Sequence, residues 1–211
     1  MMTDQSKTPK IRKGRKFDQV LEGARTIFMR DGFEGASVDD IAREAGVSKA
    51  TLYSYFPDKR LLFMEVAKSE CNRQADEAVE LVEAEKMPVA AVLRFAAERF
   101  IGYMSTTFAL QTYRICVAEA DRFPQLGHEF YHSGPELVRK HMVDYLRKAV
   151  AKGELQIEDF ELAADQFAEL CKVDIHNRLV FGIGECCAPR DRQRIIDGAV
   201  EMFLARYGVR G

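Results

Sequence analysis

Apolar residues recur at the helical period along almost the whole chain, and no segment alternates at the two-residue period of a strand over a useful length. A 3.6-residue period leaves one apolar stripe on each helix, and such stripes are buried against one another. The expected fold class is therefore all-α. The clearest stripe is Phe17, Val20, Leu21, Ala24, Ile27 and Phe28. It stops at Asp31-Gly32, where glycine can take the left-handed conformation that ends a helix.

The next two helices are short. Ser37-Val38-Asp39-Asp40 approximates a capping box, with Asp in place of the usual Glu. Val38, Ile41, Ala42 and Ala45 follow at helical spacing, and Gly46 ends the helix. Ser48 is placed to cap a helix over Lys49–Phe56, Pro57 breaks it, and Asp58 caps a long helix from Lys59 toward Lys86. Two short helices joined by the tight turn Ala45-Gly46-Val47-Ser48, after a longer one, are laid out as a helix-turn-helix unit. Ile41, Val47, Leu52 and Phe56 are spaced to lock the pair against the first helix. Lys49, Thr51, Tyr53, Ser54 and Tyr55 are too many polar or amphipathic groups to bury on one short helix. They suit a helix in a DNA major groove, which needs donors for phosphates and base edges and rings for thymine methyls. An ordinary amphipathic surface helix is the competing reading.

Charge agrees. Residues 1–60 carry 12 Lys+Arg against 9 Asp+Glu, a balance of +3, and the remainder carries 19 against 24, a balance of −5. Lys7, Lys10, Arg12, Lys13, Arg15 and Lys16 crowd the start, so residues 1–15 read as a flexible basic tail. A basic head on an acidic body suits a polyanionic partner; a solubilising tail is the alternative.

The run "ARTIFMRDGFEGASVDDIAREAGVSKATLYSYFPDKRLLFMEV" resembles the DNA-binding domain of TetR-family transcriptional regulators. The matching parts are G-F-x-G-A-S-V-x-D-I-A, A-G-V-S-K-A-T-L-Y and Y-F-P-D-K-x-x-L, over roughly Phe17 to Val66 without a gap. The resemblance implies a helix-turn-helix domain over residues 16–62 and a larger helical ligand-binding and dimerisation domain over 63–211. It puts a phosphate contact on Ser37, base and backbone contacts on Ser48, Lys49, Thr51, Tyr53, Ser54 and Tyr55, and a further phosphate contact on Lys59. Lys59 also stands at a helix N-terminus, where its charge combines with exposed amides. Farther on, "RICVAEADRFPQLGHEFYHSGP" is similar to the AefR-like subgroup of the family's C-terminal domains, through Arg114, Glu119, Arg122, Phe123, Pro124, Leu126, Phe130 and Gly134-Pro135.

In the body, helices are expected over Val89–Thr107, Leu110–Arg122, Glu136–Lys152 and Asp159–Phe181, with a last helix opening on Pro189 and ending before Gly208. The two final helices carry apolar residues on more than one side, and the resemblance implies that they pair with a second copy as a four-helix bundle. The family's effector cavity lies among the middle helices. Candidates here are Phe100, Tyr103, Met104, Tyr113, Phe130, Phe167, Cys171 and Asp174, each with core packing as the competing reading. For Asp174, pairing with Arg178 one turn on is preferred.

One motif points elsewhere. His128-Glu129-Phe130-Tyr131-His132 matches H-E-x-x-H, in which two histidines share a zinc ion and the glutamate deprotonates a bound water. A zinc peptidase needs a third ligand, and only His141 and His176 remain among the histidines. Neither stands in an H-E-x-x-H-x-x-G-x-x-H extension. Cys71, Cys116, Cys171, Cys186 and Cys187 form no C-x-x-C pair and read as free thiols. No G-x-S-x-G, P-loop or G-x-G-x-x-G is present, no cofactor or metal is expected, and no apolar run has the length of a membrane span. The expectation is a cytoplasmic, homodimeric, non-enzymatic regulator that binds a roughly palindromic double-stranded DNA site and responds to a small-molecule inducer; the alternative is a zinc-dependent metallopeptidase.

Overall fold

A computed structural model describes residues 14–85, 87–183 and 188–209. The Lys7, Lys10, Arg12 and Lys13 part of the expected tail and the Cys186-Cys187 pair lie outside the described residues. All of the regular structure described is helical: α1 (Arg15–Gly35), α2 (Val38–Glu44), α3 (Lys49–Tyr55), α4 (Lys59–Glu85), α5 (Val89–Met104), α6 (Thr107–Ala118), α7 (Pro124–Ser133), α8 (Pro135–Ala151), α9 (Phe160–Lys172), α10 (Ile175–Phe181) and α11 (Pro189–Tyr207). None of the described helices is long and apolar enough to cross a membrane. The chain divides into two compact units, one ending at Val66 and the next starting at Ala67. That division and the expected boundary after residue 62 both fall within α4.

In the first unit the α1 stripe is the core. Phe17, Val20, Ala24, Ile27 and Phe28 are buried with Ile41 of α2, Leu52 of α3, Phe56, and Leu62 and Phe63 at the start of α4. Rings meet at their edges, with Phe28 and Phe63 centred 4.9 Å apart and Phe33 and Phe63 5.1 Å apart. Each such side chain contributes about 1.5–3 kcal/mol by leaving water. The turn between α2 and α3 is closed by Ala45 N–H to Ile41 O (2.9 Å) and Val47 N–H to Ala42 O (3.0 Å). Gly46 sits there at φ +63°, a conformation that a side chain disfavours. Gly23 makes a different demand. A Cβ on it would lie 2.6 Å from the Ala45 backbone nitrogen, so α1 passes the turn at a distance that only glycine allows.

The second unit packs α5, α8, α9 and α11 around one core. Leu93, Ala97 and Ile101 of α5 meet Leu146 of α8, Phe167 of α9 and Phe203 of α11. The Phe167 and Phe203 rings are 5.3 Å apart, edge to face. Arg94 of α5 pairs with Asp197 of α11, and Arg139 of α8 with Asp165 of α9 at 2.7 Å. Gln156 N–H donates to Tyr207 O (2.8 Å), tying the loop after α8 to the end of α11.

Three expected boundaries differ. α5 stops at Met104, because the Ser105 N–H closes on Ile101 O and Thr106 turns to cap α6 through Ala109 N–H. α6 consequently starts at Thr107 and ends at Ala118, before Arg122. The single helix expected over Asp159–Phe181 is two. It breaks at Asp174 (φ 60°, ψ −48°), where Ile175 N–H closes on Val173 O at 2.6 Å. That is a γ-turn of the rare, strained hand. No glycine or proline marks the break; it turns Ile175 into the core.

Replacing Gly23 by Ala forces the added methyl into backbone. It is expected to destabilise the first unit by about 1–3 kcal/mol, although alanine is intrinsically the better helix former. Gly102→Ala in α5, whose Cβ meets nothing within 4 Å, is the control and should be neutral or slightly stabilising. Amide hydrogen exchange resolved to α1–α3 measures the difference.

Candidate nucleic-acid interface and cavity

Serines set the frame of the helix-turn-helix pair. The Ser37 hydroxyl accepts the Asp40 N–H (3.0 Å) and donates to the Asp40 carboxylate (2.5 Å). The acid at the fourth position of the box is thus engaged by the serine hydroxyl itself. That hydrogen bond, helped by Arg43 at 2.5 Å, holds the Asp40 carboxyl below its ordinary value. Ser48 repeats the device at α3, accepting the Thr51 N–H at 3.1 Å and lying 2.9 Å from the Thr51 hydroxyl. Ser54 donates back to Thr51 O at 2.6 Å.

With Leu52 and Phe56 buried, α3 turns the rest of its surface outward. Tyr53 is 48% exposed. Ser48, Lys49 and Ser54 are exposed as well. Lys49 reaches back to Asp39 of α2, Nζ to Oδ1 2.5 Å, a solvent-exposed pair that costs little to exchange for a phosphate. Tyr55 and Thr51 are half-buried, and the Tyr55 ring meets the edge of Phe17 at 5.9 Å. Lys59 is already employed. Its ammonium donates to Phe33 O (2.8 Å) and Ala36 O (3.0 Å) and lies 4.4 Å from the Phe33 ring centre. It therefore caps the carbonyls after the Gly32 kink, with one of its three donors left over.

The second unit contains a cavity of about 480 Å³ between α4, α5, α8 and α9. Of the residues expected there, Phe100, Tyr103, Phe167 and Cys171 line it. The other four do not. Met104 packs against the core. Tyr113 meets Phe130 (6.1 Å) and His176 (5.0 Å) in a separate aromatic group on α6, α7 and α10. Asp174 stands exposed in the γ-turn, 3.5 Å from Arg178, so the preferred pairing accounts for it. Much of the remaining wall comes from residues outside that expected set: Gln74 and Ala78 of α4, and Val138, His141 and Tyr145 of α8. Their only signal was a continuous stripe on α8 that includes a histidine and a tyrosine, which a core-facing helix also shows.

The thiols and the Tyr103 phenol of the wall are held neutral. Burial pushes the Cys171 thiol up to about 12 and raises the Cys71 thiol as well. Burial raises the Tyr103 phenol too, and Cys71 Sγ and Tyr103 OH share a hydrogen bond at 3.3 Å. The wall presents donors and apolar surface, with no thiolate nucleophile.

The H-E-x-x-H segment forms α7. His128 and His132 are exposed, with nearly parallel rings 6.4 Å apart. His132 Nδ1 is bound to Glu136, while Glu129 faces Lys68 at 3.9 Å. Among the described residues no three His, Cys, Asp or Glu side chains are grouped to hold a metal ion.

Comparison with known proteins covers both units. Residues 20–66 match the family model described as bacterial regulatory proteins, tetR family, and residues 91–209 match that of the AefR-like transcriptional repressor C-terminal domain. The HTH-type transcriptional repressor AcnR of Corynebacterium diphtheriae is 36% identical over 62 residues, 29% of this chain. That match spans a third, 33%, of the curated relative's own length. A solved chain from Mesorhizobium loti, described as a TetR-family transcriptional regulator, is 32% identical, covers 95% of this chain and 100% of its own, and superposes with a TM-score of 0.79. The flavonoid-responsive regulator FrrA is 31% identical over 94% of this chain and 100% of its own, with a TM-score of 0.66. The match over residues 91–209 contains α7 whole, so the zinc-peptidase alternative falls: its histidines belong to a regulator-type domain, and its glutamate is turned to a lysine.

In alkylation followed by peptide-resolved mass spectrometry at pH 8.5, Cys171 of the folded protein should react at least about a hundredfold more slowly than Cys171 of the urea-unfolded chain, since each unit of upward shift removes about tenfold of the reactive thiolate.

Proposed function

Because this chain belongs to the TetR family of bacterial regulatory proteins, with a C-terminal domain of the AefR-like kind, we propose that it is a DNA-binding transcriptional repressor released by a small molecule. The observation that carries the reading is the division of labour on α3. Leu52 and Phe56 anchor the helix in the core, while Lys49, Tyr53 and Ser54 remain on its outer surface without a packing role.

In this reading α3 enters a major groove. Lys49 exchanges Asp39 for a phosphate, and Tyr53, Ser54, Thr51 and Tyr55 meet backbone and base edges. Ser37, Ser48 and the spare donor of Lys59 bind flanking phosphates. Residues 1–15 add salt-dependent affinity. A homodimer presents two such helices to a roughly palindromic operator. Support for the dimer comes from apolar side chains left in solvent beside α10 and α11: Phe181 is 74% exposed, Met202 62% and Ile183 57%. An effector in the cavity binds one of two dimer states more tightly and so shifts the balance between DNA-competent and DNA-incompetent forms. That FrrA is named for its response to flavonoids supports a small-molecule effector. The protein works in the cytoplasm, where its DNA is.

Two measurements test this. Electrophoretic shift with the gene's own upstream DNA should show specific binding that weakens steeply with salt. Lys49→Ala and Tyr53→Ala should each weaken it by about 1–3 kcal/mol, roughly ten- to a hundredfold. Unchanged specific binding in both variants would rule out α3 as the reading helix. In sedimentation, the wild-type protein should run at twice the mass of one chain and Phe181→Asp at a single chain's mass. A wild-type monomer would sink the dimer.

A further inference from the structure

The cavity leaves open what kind of molecule fits it. Its volume of about 480 Å³ lies within the range of roughly 300–1,000 Å³ that holds a drug-sized ligand. Phenyl and phenol rings line it from three helices: Phe95, Phe100 and Tyr103 of α5, Tyr145 of α8 and Phe167 of α9. In the cores, rings pair with one another, as Phe28 does with Phe63 and Phe203 with Tyr207. Phe167 has such a partner too, Phe203 at 5.3 Å. Among the described residues, Phe95, Phe100, Tyr103 and Tyr145 meet no other ring. Their aromatic surface is open to a guest, and a guest ring gains edge-to-face or offset contacts that a saturated body of the same size lacks.

Hydrogen-bonding capacity is left on one wall. On α4 and α5 the polar groups are engaged. Cys71 bonds Tyr103 at 3.3 Å, and the Arg99 guanidinium donates to Gln74 (2.7 Å) and Glu77 (3.3 Å). On α8, His141 and Tyr145 stand one turn apart and half-buried, and among the described residues neither side chain is hydrogen-bonded. Burial, with Glu154 nearby, pushes the Tyr145 phenol up to about 12, so its hydroxyl keeps its proton and can donate. Asp144, Lys148 and Lys152 also border the cavity, but from exposed positions and with both signs together, where water screens them.

We infer that the cavity takes an uncharged aromatic alcohol, a phenol of two or more rings in kind, its rings seated against Phe95, Phe100 and Tyr103 and its hydroxyl bonded by His141 and Tyr145. A saturated body of that size forfeits the ring contacts. A carboxylate loses its hydration among the rings, with the Arg99 guanidinium already held by Glu77. The inference rests on the cavity being the effector site.

Equilibrium dialysis at pH 7.5 with biphenyl-4-ol, biphenyl, biphenyl-4-carboxylate and 4-cyclohexylcyclohexanol tests each part. Wild-type protein should bind biphenyl-4-ol about fivefold more tightly than biphenyl, and about tenfold more tightly than the carboxylate or the saturated alcohol. In the His141→Leu/Tyr145→Phe double variant the phenol should fall to within about twofold of biphenyl, with biphenyl affinity unchanged. The saturated alcohol or the carboxylate binding as tightly as the phenol overturns the aromatic or the uncharged assignment respectively. An advantage of the phenol over biphenyl that survives the double variant overturns the α8 pair as its partner. Each of these outcomes leaves the cavity as a ligand site. Ala168→Trp or, on the α4 wall, Ala78→Phe, each verified as folded by circular dichroism, should abolish binding of every probe. Failure of all probes to bind the wild type, or binding untouched in both filled variants, overturns the cavity as the site and the inference with it.

Discussion

The close approach of α1 to the α2–α3 turn is the constraint on which the DNA-binding unit depends. Gly23 lets the two backbones come within a distance that a methyl group would block. That contact sets the height of the turn above α1, and the turn sets the direction of α3. Once α3 is held there, Leu52 and Phe56 reach the aromatic core and the polar side of the helix is left outside. The display of Lys49 and Tyr53 is thus a consequence of packing on the opposite side of a seven-residue helix. Such a helix has little stability of its own. Its geometry is borrowed from α1 and from the serine caps.

The second unit solves a different problem. Its core joins α5, α8, α9 and α11 tightly, yet a cavity stays open between α4, α5, α8 and α9. Buried thiols and a phenol along the wall are held protonated, so the wall offers donors and apolar surface to a guest. The same helix that seals the core with Leu146 and Ala149, α8, lines the cavity with its adjacent face.

The first unit was largely legible in the sequence because its devices are local. Ser37 and Ser48 cap helices that begin one residue later, and Gly46 takes the positive φ that its turn needs. Lys59 shows the limit of such reading. Position at a helix start places a cation beside exposed amides, and only the fold shows that its ammonium is also shared between two carbonyls more than twenty residues earlier. The break at Asp174 was invisible, since no glycine or proline announces it and only the burial of Ile175 requires it. Half of the expected cavity residues lie elsewhere for a related reason. Tyr113 and Phe130 have the composition of a pocket wall, but they face each other.

The sequence by itself determined the helical class, the helix-turn-helix pair with its caps, and the outward row on α3. Each of these follows from spacing within a turn or two of helix, where the side-chain period and the backbone's unpaired N–H groups leave few alternatives. Tertiary structure alone decided where the second unit is hollow, which faces of α4 and α8 border the hollow, and that α7's histidines stand in solvent with no third ligand grouped beside them among the described residues. Those facts depend on which faces of helices distant in the chain come together and how completely their side chains fill the space, and no period along one segment encodes that.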